Sequence, residues 1–459
     1  MPGSFHRRLY GPPGVLVSHP GRQHSWATAR ALQRAGLLQA FATSINYDAG
    51  HGPYRLLDTP LLPSRMRGWI REQLKKREVR IDDRSVVHTP DVWPLVLTTA
   101  RLFTNTEAMA RHFSRFLDAI FDRWVSGELA VAAPLAVHCF QGSALRTFTR
   151  AKQVHIPCVL DVTSDHTGIV RILQEEVRQL QSSGLSDGPT RVDEVYFRQT
   201  YTERALADYL LVPSEHVRQA LKADGAPDHK IVLIPYGVDA NRFTPPEAAS
   251  RTAANRPFTA LFVGTLNIGK GIQYLLKAWA ELALPDAELV IVGGNGESAV
   301  QRLRERSAPN VRWMGNVPHS TIPKIYQEAD IFVFPSLSEG SALVVYEAMA
   351  SGLPVITTPN AGSVVRDGVD GYIVPPRDIP ALKDKIQALY RDRAGLRRLG
   401  ENAHEQVVQS YTWKHYEQRL AAFYRDRVLG GRVEIEHART PTSEGGQYVP
   451  AKSAAEASA

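Results

Sequence analysis

The stretch PSLSEGSALVVYEAMASGLPVITTPNAG, Pro335 to Gly362, decides how the rest of this chain is read. Its pattern predicts a strand ending at Pro335, a loop carrying Glu339 and Gly340, and a helix that starts near Ser341 or Ala342 and runs to about Ala350. The first turn of such a helix presents backbone N–H groups without intrahelical partners and a partial positive charge, which suits a phosphate or diphosphate. Gly340, lacking a Cβ, permits close approach at that turn. Glu339 precedes the helix and Glu347 falls in its second turn, so two carboxylates flank a bound anion at different depths. Neither can usefully touch phosphate. Both are suited to accept hydrogen bonds from sugar hydroxyls.

Outward from this stretch, short apolar runs alternate with amphipathic ones, the pattern of parallel sheets flanked by helices. In the first half the expected strands are Gly14–Ser18, Pro134–Phe140, Cys158–Val162, Tyr209–Ser214 and Ile231–Pro235, with a helix over Ser25–Gly36. A Pro-containing loop from Tyr236 to Phe258 reads as a linker. A second series then predicts strands at Thr259–Gly264, Glu288–Gly294, Val311–Gly315, Ile331–Ser336 and Pro354–Thr358, with a helix after each of the first four. The expected organisation is an N-terminal domain over 1–245, a second domain over 246–411, a helix over 412–431 crossing back to the first, and a disordered tail over 432–459. Two such domains face each other across a cleft, and open α/β sheets bind ligands at the carboxyl ends of their strands.

Several ordered motifs together resemble the family-4 retaining glycosyltransferases of the GT-B fold, an α/β class in which two Rossmann-like domains with parallel sheets face a central cleft. Their hallmark is two glutamates separated by seven residues, the spacing of Glu339 and Glu347. The resemblance extends through FVGTLNIGKGIQYLLKAWAEL, LVIVGGNGE, VRWMGNV, YQEADIFVFPS and DGVDGYIVPPRD. It reaches back to ADYLLVPSEHVRQALKADG and KIVLIPYGVDANRF. It implies that Glu339 contacts the donor sugar, that Glu347 holds the ribose, and that the backbone of Gly340, Ser341, Ala342 and Leu343 cradles the diphosphate. Lys270 in NIGKG matches the family lysine that neutralises the leaving diphosphate. The nucleobase is expected near Asn316 and Val317.

The chain departs from the family pattern at two places. Thr265 stands where an arginine is common after the first strand of the second domain, so either Lys270 and the helix N-terminus suffice or a residue such as Arg22 completes the site on closure. In the first domain, SHPGRQHSW keeps only Gly21 of a glycine-rich loop, and the place of a cleft histidine is held by Thr163, with His166 three residues on. The resemblance thus implies a nucleotide-sugar donor and a glycan or lipid-linked acceptor, as in bacterial surface-polysaccharide assembly.

Composition narrows the alternatives. The 459 residues are 43% hydrophobic and 22% charged, which excludes collagen-like, coiled-coil and wholly disordered chains. Two cysteines, Cys139 and Cys158, lie in apolar stretches and read as buried free thiols of a reducing compartment. The net charge of +7 lies almost wholly in the first half, around REQLKKREVR, Arg71 to Arg80. That cluster reads as a solvated helix face or a patch meeting anionic lipid headgroups, and no nucleic-acid-binding pattern accompanies it. No run of about 18 apolar residues and no signal-peptide core is present, so the expected location is cytoplasmic, with any membrane contact peripheral. No Asp-x-Asp occurs, so no metal or cofactor is expected and charge neutralisation falls to the protein. Three other readings fit parts of the sequence. The GGNGESA stretch has a dinucleotide-fingerprint spacing but no acidic ribose ligand follows it. A glycoside hydrolase would leave Glu347 facing a diphosphate rather than a glycosidic bond. A catalytically silent sugar-nucleotide-binding partner is separated from an enzyme by donor turnover.

Overall fold

The structure, a computed structural model, describes residues 11–21, 24–44, 86–88, 107–182, 194–246, 256–294 and 298–430. The Arg71–Arg80 cluster, Arg22 and the expected tail lie outside the described residues. Thirteen strands among the described residues form two sheets. The first contains β1 (Val15–Ser18), β2 (Leu38–Thr43), β3 (Val86–His88), β4 (Ala136–Phe140), β5 (Cys158–Asp161), β6 (Tyr209–Val212) and β7 (Ile231–Leu233). The second contains β8 (Phe258–Val263), β9 (Ala287–Val292), β10 (Val311–Gly315), β11 (Ile331–Phe334), β12 (Val355–Thr357) and β13 (Gly371–Ile373).

The strand orders are β3-β2-β1-β4-β5-β6-β7 and β10-β9-β8-β11-β12-β13, and every pairing is parallel. Helices cover both faces of such sheets, so their strands are buried on both sides and read as continuous apolar runs. Strands β4, β8 and β11 are buried at every position. Cys139 and Cys158 are free thiols sealed in the first sheet.

In each sheet the chain order reverses once, between β1 and β4 and between β8 and β11. Helices on either side diverge there, leaving a crevice at the strand carboxyl ends. The β8–β11 crevice is bordered by the turn that carries Lys270 and by the loop that carries Glu339. After the second sheet the chain returns. Val238 bridges to Thr412, and Tyr416, Leu420, Phe423 and Tyr424 are buried against Val15, Val17 and Phe41 of the first sheet. The last helical run, expected as a helix over 412–431, is α-helical over Trp413–Phe423 and π-helical over Tyr424–Val428.

Candidate active site

The turn after β8 is a single 3-10 turn, Ile268–Lys270, capped by Asn267, whose Oδ1 accepts from the Lys270 N–H at 3.2 Å. Gly271 reverses it with φ of 71°, and a Cβ there would strike the Pro335 carbonyl. This turn supports the loop after β11, because the Gly269 carbonyl accepts from the Leu337 N–H at 2.9 Å and from Ser336 Oγ at 3.2 Å. On the other side of the loop, the Glu339 N–H donates to the Asn360 carbonyl at 2.8 Å and the Ala342 N–H to the Ala361 carbonyl at 3.1 Å. Held from both sides, the loop brings Glu339 Oε1 into an ion pair with Lys270 Nζ. Burial pushes the Lys270 pKa down to about 8.

The helix begins at Leu343, one to two residues later than its sequence suggests, because Ser341 and Ala342 are drawn into the extended lead-in. No side chain caps it, and although the Val345 N–H donates to the Ala342 carbonyl at 2.9 Å, the amides of Leu343 and Val344 at its first turn can face an anion. Ser341 Oγ lies 3.2 Å from Tyr346 Oη, and Leu343 is exposed. Glu347 is half-buried on the same helix, where its Oε2 accepts from Tyr326 Oη at 3.1 Å. Burial pushes its pKa up to about 7, against the lowering effects of that hydrogen bond and of the Arg242 charge. Thr265 is exposed at the end of β8, and Val317 is half-buried against the core beside Asn316. The Asn316 side chain occupies the space over Gly294, which a Cβ there would fill.

The first domain closes on this platform more tightly than the sequence reveals. A Cβ on Gly340 would run into the carbonyl of Thr163, so the close approach at this glycine is made by the facing domain's backbone. Ser214 Oγ donates to the Gly340 carbonyl and also caps the helix that follows it, accepting from the Val217 N–H. Gly21 is exposed, with its N–H donating to His19 Nδ1 at 2.8 Å. His166 begins the helix His166–Ser182, and its side chain lies outside the described residues.

Sequence reasoning missed a polar cluster at the carboxyl ends of β4 and β5. Asp161 Oδ2 is 2.8 Å from His24 Nε2 and 3.6 Å from His138 Nε2, and His138 Nδ1 bonds Tyr424 Oη at 2.8 Å. Burial would raise the Asp161 pKa, but the two imidazoles outweigh it and hold the carboxyl well below the usual range. The signal was slight: Asp161 closes an apolar strand, and its partners lie far away in sequence. Among the described residues, no group of three His, Cys, Asp or Glu side chains is arranged to hold a metal ion, and no helix is long and apolar enough to cross a membrane.

An ammonium, an uncapped helix start and two carboxylates around one crevice can hold a phosphorylated, hydroxyl-rich ligand. Residues 257–392, which contain all of these groups, match the family described as "Glycosyl transferases group 1". That stretch of the second domain is similar to the group 1 glycosyltransferases. The chain is 33% identical over 256 residues to a D-inositol 3-phosphate glycosyltransferase of Nocardia farcinica, covering 50% of this chain and 56% of that protein. It is 28% identical over 317 residues to one of Mycobacterium bovis, covering 61% and 64%. The chain thus spans less than two thirds of the length of these relatives. Among solved structures, Anabaena HepE in complex with UDP superposes with a TM-score of 0.60 at 15% identity, covering 90% of this chain and all of that one. Sucrose-phosphate synthase of Thermosynechococcus elongatus superposes with a TM-score of 0.59 at 21% identity, covering 90% and 99%. The fold is GT-B.

Proposed function

We propose that this protein is a retaining glycosyltransferase that moves a sugar from a nucleoside-diphosphate donor to an acceptor hydroxyl without a metal ion. The observation that carries this reading is the meeting of Lys270 and Glu339 beside the start of helix Leu343–Ala350, with Glu347 one turn deeper. Donor diphosphate exchanges with Glu339 as the partner of Lys270, which releases the carboxylate to accept from sugar hydroxyls. Glu347 receives the ribose hydroxyls, and the base lies toward Asn316 and Val317. As the anomeric bond breaks, charge grows on the β-phosphate, where Lys270 and the first-turn amides meet it. The departing phosphate, on the face of attack, takes the acceptor proton, so configuration is kept without a protein nucleophile. Much of the acceleration comes from holding the acceptor oxygen against the anomeric carbon on the face that the phosphate leaves.

The acceptor we propose is a glycan or lipid-linked hydroxyl of surface glycoconjugate assembly, and the names of the curated relatives make D-inositol 3-phosphate a necessary second candidate. The test is release of nucleoside diphosphate from UDP-, GDP- and ADP-sugars with EDTA present, with and without D-inositol 3-phosphate, using Glu339→Ala and Lys270→Ala as controls. Release from one donor, unchanged by EDTA and lost in both variants, is expected. Release that persists in both variants would remove the assignment.

A further inference from the structure

The Lys270 turn is covered by the facing domain. Helix His166–Ser182 of the first domain lies on it, and Leu173, Val177 and Leu180 form a small apolar cluster with Ile268 and Ala299 of the second. Within that helix Glu176 is 1% exposed, and its carboxylate accepts from three residues of the other domain. Tyr274 Oη donates at 2.9 and 3.0 Å, Gln273 Nε2 at 3.1 Å and Arg377 Nε at 2.5 Å. The same Gln273 amide also donates to the Ile268 carbonyl at 3.0 Å, inside the turn and two residues from Lys270.

We infer that Glu176 is a positioning residue for Lys270: it crosses the cleft to lock the Lys270 turn into its working geometry when the domains dock. This rests on the reading of Lys270 as the group that neutralises the leaving diphosphate. A carboxylate withdrawn from water is costly unless its donors are all in place. Glu176 therefore accepts only one docking register, the one that brings Gln273, Tyr274 and Arg377 together. In that register Gln273 is fixed between the carboxylate and the Ile268 carbonyl, and Leu173 sits against Gly269, 3.1 Å from where a Cβ would be. When the domains part, the turn loses both its apolar cover and this hydrogen-bond relay. Full charge stabilisation by Lys270 is thereby reserved for the closed state, in which the acceptor is held.

The test uses the full chain and its Glu176→Ala, Glu176→Gln and Tyr274→Phe variants. Three quantities are read: kcat and KM for donor hydrolysis, calorimetric Kd for whichever of UDP, GDP and ADP the unaltered chain binds, and amide hydrogen exchange over residues 266–276. Glu176→Ala is expected to lower kcat about 100-fold, the scale of an ångström of misplacement, while nucleotide affinity, set within the second domain, changes less than about threefold. Exchange should quicken in the Lys270 turn and in helix His166–Ser182 together. Glu176→Gln keeps the size and one acceptor oxygen and should recover part of the rate. Tyr274→Phe removes one donor without leaving a bare charge and should cost about tenfold in kcat. The inference is overturned if exchange in the turn is unchanged, or if kcat and nucleotide affinity fall equally. Should the unaltered chain turn over no donor, the glycosyltransferase reading fails on that result, and the exchange measurement still decides whether Glu176 orders the turn.

Discussion

Lys270 must be a cation to meet a developing phosphate charge, yet it sits in surroundings that disfavour the ammonium. Its pKa is pushed down to about 8 by burial, while Glu347, which must be an anion to accept from ribose hydroxyls, is pushed up to about 7. The signs combine simply. Below pH 7 Glu347 takes a proton and loses acceptor capacity; above pH 8 Lys270 begins to lose its charge. We expect a bell-shaped kcat/KM for donor hydrolysis, rising through about pH 7 and declining from about pH 8 upward. In Glu347→Gln the acid limb should vanish, and an acid limb that survives there would assign it elsewhere. Lys270→Ala should lose about 100- to 1000-fold in kcat, about 2.7–4 kcal/mol, by comparison with removal of one preorganised donor. A loss under about tenfold would contradict its role. These three residues could be singled out as candidates because their motifs are local: Glu339 and Glu347 share one loop and helix, and Lys270 lies in the turn that follows the first strand of its domain.

The loop Ser336–Ala342 shows what local reading leaves out. Its sequence shows a glycine beside a helix start, which suits an approaching phosphate, and the structure adds the Thr163 carbonyl over the same glycine. Gly340→Ala should therefore block docking of the domains more than binding of nucleotide. We expect calorimetric nucleotide affinity within about threefold of the unaltered chain and donor turnover down about 100-fold. Equal loss of both would mean that the methyl group disturbs the anion cradle itself. The strands that were missed have a related cause. LQAFAT of β2 carries a single β-branched residue, Thr43, and no regular alternation, and β3 and β13 are three residues each, too short for any period to show. They become strands because a neighbour offers a parallel edge, through the pairings of β2 with β1, β3 with β2 and β13 with β12.

At the scale of the molecule, what the sequence conceals is pairing across the cleft and across the chain. Glu176 meets Arg377 from 201 positions away, Asp161 meets His24 from 137, and Ser214 meets Gly340 from 126. Glu176 and Ser214 look like ordinary polar residues until the two domains are set face to face, and Asp161 until the fold of the first domain brings His24 to the end of β5. The returning C-terminal helix adds a further coupling, since it is made after the second sheet but covers the first. Surface pairs such as Arg34–Glu417, at 2.7 Å, contribute little to holding it. The buried contacts are Tyr416 Oη to Thr28 Oγ1 and Tyr424 Oη to His138 Nδ1, both at 2.8 Å. Tyr424→Phe keeps the ring and its packing but strands a fully buried histidine nitrogen. That costs about 1–3 kcal/mol, read as a lower urea midpoint with the slope unchanged. Because His138 also approaches Asp161, the same variant frees the ring to shift beneath the Asp161–His24 pair. If that pair helps to shape the acceptor side of the cleft, KM for the acceptor should rise in Tyr424→Phe while nucleotide affinity stays constant. A stability loss without any change in acceptor KM would confine the returning helix to a role in holding the first domain together.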